Sequence, residues 1–216
     1  MDAPSIGWIE REAIAAGYSW VLGVDEVGRG PLAGPVTTAA ALIALPELAW
    51  CQGLDDSKKL SARKREGFIE RIESQALSVA RYHVPVEDVD RMNVLAASLH
   101  GMAHCAIEVL GRANIAPDKV LVLVDGKQTL PGWVGPQRAV VKGDASSFAI
   151  AAASILAKVS RDALMAEYDE IHPGYGFAKH AGYGTRAHLE ALDRLGVCPI
   201  HRKSFAPVRK ILERKR

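Results

Sequence analysis

Cysteine is scarce in this 216-residue chain. Cys51, Cys105 and Cys198 are odd in number and far apart, with no C-x-x-C pair. Free thiols in a reducing, cytoplasmic setting follow from that usage. A dominant charge is also missing. The formal net charge is only +2, so the chain as a whole is no polycation. Long apolar runs are absent too. The longest apolar region, residues 32–50, is broken by Gly34, Pro35 and Pro46, so no membrane span is expected. Residues 1–11 are acidic and mixed, unlike a signal peptide. No internal repeat or low-complexity tract occurs. No Gly-Lys-Ser or Gly-Lys-Thr is present to build a phosphate-cradling Walker loop, and no nucleophile elbow seats a Ser/His/Asp triad.

What is present suits one globular domain with a full core and a small helical appendage, since 49% of residues are hydrophobic. The chain is organised around Gly23-Val24-Asp25-Glu26-Val27-Gly28-Arg29-Gly30. The preceding residues, 18–22, are aromatic and β-branched enough for a strand. That strand runs into two adjacent carboxylates. Neighbouring side chains on a strand face opposite ways. Asp25 and Glu26 therefore share a metal only if the chain turns between them or the metal sits at the strand end. Pro31 and Pro35 forbid an immediate helix. A dinucleotide fingerprint is excluded, because three residues separate Gly30 from Gly34 and the acids precede the glycines.

Further along, residues 1–17 read as a short amphipathic helix with Ile6, Trp8, Ile9 and Ile14 as its apolar members. A second strand is expected over 36–45, pairing with the first through the Gly-Arg-Gly-Pro loop. Ser61 is placed to N-cap a helix carrying Phe68, Ile69 and Ile72. A third strand over 77–84 ends at Pro85, and residues 86–111 read as helix. Five apolar residues, 120–124, predict a central strand buried on both faces, ending in Asp125-Gly126. A short fifth strand over 138–141 leads to Lys142-Gly143-Asp144. Ser146 is then expected to cap an Ala-rich helix from about 147 to 170, with Phe148, Ala152, Ile155 and Val159 inward. Glycine-rich turns, a helix near 186–195 and a basic tail complete an α/β sheet covered on both faces.

Asp25 with Glu26, Asp125, and Asp144 are the acids at strand ends or helix starts, where catalytic groups of open α/β sheets gather. Asp125-Gly126 alone is a turn signal and Asp144 alone a helix N-terminal acid; together with Asp25 and Glu26 they say more. Converging carboxylates repel unless divalent cations neutralise them, and all-oxygen ligation suits Mg²⁺ or Mn²⁺. Two such ions roughly 3.5–4 Å apart clamp an in-line phosphodiester displacement. His100 and His104 have i, i+4 spacing, but Gly101 stands where a zinc hydrolase needs glutamate, so they read as partly exposed helix residues. Seven of the last sixteen residues are Lys or Arg, and Lys58, Lys59, Arg63, Lys64 and Arg65 form a second basic run. Each run is either a solvated face or a hold on a polyanion.

The stretches Gly23–Val36, Asp55-Asp56-Ser57-Lys58-Lys59-Leu60-Ser61, Val-Asp-Gly, Lys-Gly-Asp, Ala151–Asp162 and Gly-Tyr-Gly-Thr together resemble bacterial ribonuclease HII, from about Gly23 to His201–Phe205. Ribonuclease HIII carries Gly-Lys-Gly where this chain has Gly28-Arg29-Gly30. The resemblance implies an RNase H-like fold with a five-stranded mixed sheet, flanking helices and a C-terminal helical extension. The divisions are an N-terminal helical segment over 1–17, a catalytic domain over 18–170 and a substrate-binding extension over 171–216. It implies Asp25, Glu26, Asp125 and Asp144 as the metal-binding catalytic acids, with two Mg²⁺ or Mn²⁺ ions. Gly28, Arg29 and Gly30 would read the ribonucleotide 2′-OH, and Tyr183 would pack on the neighbouring deoxyribose. Lys58, Lys59, Ser154 and Lys158 would touch phosphates, or else be surface lysines and a helix-packing serine. The implied substrates are RNA/DNA hybrids and duplex DNA containing ribonucleotides, in primer removal and ribonucleotide repair. No membrane is expected, and a monomer is the default. A non-catalytic nucleic-acid-binding module and a ribonuclease HIII-type hybrid nuclease are the competing readings.

Overall fold

The residues described by the computed structural model are 5–54, 57 and 60–214. Five strands form one mixed sheet: β1 (Trp20–Val27), β2 (Val36–Ala44), β3 (Ser78–Val84), β4 (Val120–Asp125) and β5 (Gln137–Val140), in spatial order β3-β2-β1-β4-β5. β1 pairs antiparallel with β2 and parallel with β4. β2 and β3 are antiparallel, while β4 and β5 are parallel. The strand carrying Asp25 and Glu26 is thus central, and its parallel neighbour ends in Asp125.

Helices cover both faces. α1 (Trp8–Ala15), α2 (Ala62–Gln75) and α5 (Phe148–Ile171) pack on one side, and α4 (Val94–Ala113) on the other. The small residues of α5 bring it hard against the sheet. A Cβ on Gly23 would run into the Ala149 backbone, so only glycine fits that strand position. Ser147, not Ser146, caps α5: its side chain accepts from the Ile150 amide at 3.2 Å. The extended backbone that an N-cap requires is found at Ser147, while Ser146 belongs to the preceding helical turn.

The helical stretch expected over 86–111 is two helices, α3 (Val86–Met92) and α4. Asn93 sits between them at φ 74 and ψ 160, a backbone region that side-chain-bearing residues rarely enter, and caps α4 by accepting from the Leu95 and Ala96 amides. The apolar stripe continues across the break, which is why periodicity alone joins the two. By length and composition α4 could cross a membrane, yet Leu99, Met102, Cys105 and Val109 are buried against the sheet. The N-terminal helix starts only at Trp8, after Gly7 at φ 85, and it turns Ile9 and Ala13 inward while Ile14 is 47% exposed.

A third apolar cluster ties the chain's end to its centre. Leu32 and Ala33, from the loop after β1, pack with Met165, Phe177, Leu192 and Val208. These come from α5, α6 (Phe177–His180), α7 (Arg186–Leu195) and α8 (Ala206–Arg214). The C-terminal helices therefore rest on the same loop that carries Gly28, Arg29 and Gly30.

Candidate active site

No turn separates Asp25 from Glu26; both lie within β1, two residues and one residue from its end. Asp25 is only 6% exposed and Glu26 is half-buried. Asp25 Oδ1 accepts from the Glu26 amide at 2.7 Å, and Glu26 Oε1 meets Arg29 Nη1 at 3.3 Å. Asp125 ends the adjacent parallel strand. Its Oδ1 accepts from the Gly143 amide at 2.8 Å, which fastens it to the helical turn Gly143–Ala145 that holds Asp144, itself 8% exposed. Gly143 is required there, since a Cβ would lie 3.1 Å from that oxygen and strike Ile150.

Burial pushes the Asp25 carboxyl well above the usual carboxylate range. The negative charges of Asp125 and then Glu26 push it further, against hydrogen bonds from Ser154 and the Glu26 amide. Among the described residues no three His, Cys, Asp or Glu side chains already close around a common point. The acids line the strand ends, held by backbone amides, serine and Arg29, with Asp125 and Glu26 near enough to add to the effect of burial in raising the proton affinity of Asp25. A donor set made of carboxylate oxygens, desolvated and mutually repelling, fits a hard divalent cation rather than a soft one. Asp25, Glu26, Asp125 and Asp144 are the residues that would hold it.

The loop after β1 is the second part of the site. Gly28 has φ 89, and a Cβ there would collide with the Arg161 guanidinium. Arg29 and Gly30 are exposed. A Cβ on Gly30 would sit 3.4 Å from the ring of Tyr183, so the fold brings these two expected substrate contacts side by side. Tyr183 is 46% exposed. The preceding Gly182 accepts from the Leu32 amide at 2.8 Å, and a Cβ on Gly182 would strike the Ala33 carbonyl.

Tyr183 is also held from beneath. His188 Nδ1 lies 2.9 Å from the Tyr183 carbonyl, His188 Nε2 lies 3.1 Å from His201 Nε2, and His201 Nδ1 accepts from the Cys198 amide at 3.0 Å. One proton order satisfies the chain: His201 donates to His188, and His188 donates to Tyr183. Both rings are then neutral. Burial lowers the His201 pKa to about 4, helped by His188, and burial lowers that of His188.

Other expected contacts are placed less simply. Ser154 is buried and shares a hydrogen bond of 2.9 Å with Ser57 besides the one to Asp25. Lys158 pairs with Asp162 at 2.6 Å. Lys58 and Lys59 lie outside the described residues. Arg65, read with the second basic run, turns inward and donates to the carbonyls of Ser57 and Leu60. Arg202, read with the basic tail, is fully buried. His100 and His104 are exposed; His104 stacks on Tyr82 at 4.2 Å, and Gly101 is the residue that lets α4 approach Thr38 and Val84.

Sequence reasoning missed Arg161, His188, His201 and the inward role of Arg202. A signal existed for Arg161: it stands seven residues after Ser154 on α5, hence on nearly the same face, toward the sheet. Arg202 had only its neighbours, Pro199-Ile200 before and Phe205 after, to set it apart from the solvated tail.

The family model described as Ribonuclease HII matches residues 22–208. A ribonuclease HII from Geobacter metallireducens is 51% identical over 197 residues, covering 90% of this chain and 87% of that protein. Among solved structures, ribonuclease H2 from Pyrococcus horikoshii superposes with TM-score 0.72 at 26% identity, covering 90% of this chain and 98% of that one. Bst-RNase HIII in complex with Mn²⁺ superposes with TM-score 0.71 at 18% identity over 91% of this chain and 70% of that one, a likeness of fold.

Proposed function

The chain belongs to the ribonuclease HII family, metal-dependent hydrolases that cut the RNA of RNA/DNA hybrids, and from that premise we propose that it also nicks duplex DNA on the 5′ side of a single embedded ribonucleotide. The products would be a 3′-hydroxyl and a 5′-phosphate. The observation that carries the reading is the buried Asp25, raised in proton affinity by Asp125 and Glu26 at the end of the central strand. Such a cluster is costly unless cations share it.

Asp25, Glu26, Asp125 and Asp144 would hold two divalent ions, Mg²⁺ or Mn²⁺; when bound, these supply an activated water and stabilisation of the leaving 3′-oxygen. The Mn²⁺ complex of the structural neighbour supports this choice of ion. The protein's own part is to fix the acids: Gly143 orients Asp125, and Ser154 orients Asp25. Gly28, Arg29 and Gly30 would read the ribose 2′-OH, the group that distinguishes RNA from DNA at one sugar. The exposed Tyr183 ring beside Gly30 would lie on the next sugar, tolerating a hydrogen at C2′ and colliding with a hydroxyl. Lys58, Lys59, Ser154 and Lys158 would steady the flanking phosphates, Ser154 through the Asp25 site it already touches. The protein would act as a monomer.

The test is cleavage, with Mg²⁺ or Mn²⁺, of a duplex carrying one ribonucleotide against an all-DNA duplex and a continuous hybrid. Nicking at the lone ribonucleotide and none of the all-DNA duplex is expected. A protein that binds these duplexes but cuts none of them would be the binding module instead.

A further inference from the structure

Two guanidinium groups hold the loop after β1 from inside the protein. Arg161 is 1% exposed and Arg202 is 0% exposed. Among the described residues both donate to carbonyl oxygens and to no carboxylate. Arg202 Nη2 reaches the Gly28 carbonyl at 2.5 Å and the Pro35 carbonyl at 2.9 Å; its Nη1 reaches Arg29 and its Nε reaches Gly34, each at 2.9 Å. Arg161 donates to the carbonyls of Pro35, Ala33 and Ala181, the last belonging to the segment that leads into Tyr183. Buried cations are expensive, and here carbonyl dipoles offset the cost.

This grip fixes the polarity of the loop. A trans peptide is planar, with its C=O and the following N–H pointing opposite ways. No cis peptide occurs among the described residues. With the Gly28 and Arg29 carbonyls drawn onto Arg202, the amides of Arg29 and Gly30 must face away from it. Successive amides turned outward, with a cation behind them, form a concavity for an oxygen acceptor. Gly28 completes the arrangement, because a side chain there would displace Arg161.

We infer that Arg161 and Arg202 are positioning residues for substrate selection, turning the amides of Arg29 and Gly30 toward the 2′-oxygen of the ribonucleotide. The inference rests on the reading of this loop as the ribose reader. Lysine is no substitute, since a single ammonium lacks the planar fork that spans several carbonyls.

The test compares wild type, Arg202→Lys and Arg161→Lys in their affinity for a duplex with one ribonucleotide and for the same duplex in DNA alone. Divalent ions are chelated so that no strand is cut. Wild type should prefer the ribonucleotide, and each lysine variant should lose about tenfold of that preference while its affinity for all-DNA duplex changes by no more than about twofold, as charge is kept. A wild type without preference overturns the ribose reading itself. A preferring wild type with equally preferring lysine variants overturns the role of the arginines alone. If the variants fold poorly, amide hydrogen exchange in wild type decides. The Arg29 and Gly30 amides should be slowed more by the ribonucleotide duplex than by the all-DNA duplex, and equal slowing refutes the inference.

Discussion

Two regions a few residues apart on one stretch of chain treat buried charge in opposite ways. At the end of β1, Asp25 is crowded by Asp125 and Glu26, and like charge is stored there. Just beyond, Arg161 and Arg202 lie equally deep, but their charge is spread over six carbonyls of the loop and of Ala181. A bound cation would relieve the first region; the second draws on carbonyls of the chain itself, with the buried Arg161 Nε left without a partner. On the proposed reading the difference separates chemistry from selection. Changes among the acids should cost turnover and leave the fold alone, whereas changes around the loop should cost discrimination or stability.

The largest effect should come from Asp125→Asn. Turnover should fall at least about a hundredfold, the scale of losing one preorganised charged group from a site. The thermal midpoint should hold or rise, because a repulsion near Asp25 disappears, and duplex affinity should not fall. Steady-state rates beside a melting curve check this. Near-normal turnover would dissolve the contrast between the two regions.

Next, Tyr183→Ala should reduce cleavage at a lone ribonucleotide by about tenfold or more, the worth of one aromatic stacking contact. Cleavage of a continuous hybrid should suffer less, since every sugar there carries a hydroxyl and the ring has no deoxyribose to rest on. Equal losses on both substrates would make Tyr183 a structural residue of the loop.

A smaller effect is expected from the histidines beneath Tyr183. The folded His201 pKa is depressed to about 4 from an ordinary 6.5, so the unfolded chain takes up the proton first. The sign follows: this stability is present above pH 6.5 and is lost as pH falls from there toward about 4, by an amount on the order of a few kcal/mol. His201→Gln should flatten that part of the stability–pH curve in denaturant titrations. An unchanged slope between wild type and variant would mean that the ring is not held neutral.

The smallest effect concerns the exposed tail. If Arg209 and Lys210 meet phosphates, replacing each by Gln should reduce the slope of log affinity against log salt by about 0.7–0.9. An unchanged slope would leave the tail a solvated face.

The sheet and the acid end were readable from sequence for a physical reason. Apolar strands ending in Asp25-Glu26 and Asp125 announce themselves, because carboxylates at buried strand ends are costly without a purpose. The loop clamp was not readable. Arg161 and Arg202 find their partners among backbone carbonyls, and a carbonyl leaves no mark in the sequence. Composition placed Arg202 with the solvated tail; only the packing of the C-terminal helices onto Leu32 and Ala33 shows it inside. The same limit applies to the break at Asn93, where one residue of positive φ splits a stripe of unbroken periodicity.

The most direct test of the division between chemistry and selection is a single cleavage experiment on wild type and Arg202→Lys. Three duplexes are cut with Mn²⁺: one with a lone ribonucleotide, one continuous hybrid and one of DNA alone. Wild type should nick 5′ of the lone ribonucleotide, cut the hybrid and spare the DNA. The variant should slow by a similar factor on the lone-ribonucleotide duplex and on the hybrid, since both present a 2′-hydroxyl to the loop, while its dependence on Mn²⁺ concentration stays that of wild type. If the variant cuts both at the wild-type rate, or if its Mn²⁺ requirement shifts, the acids and the loop are not separate devices.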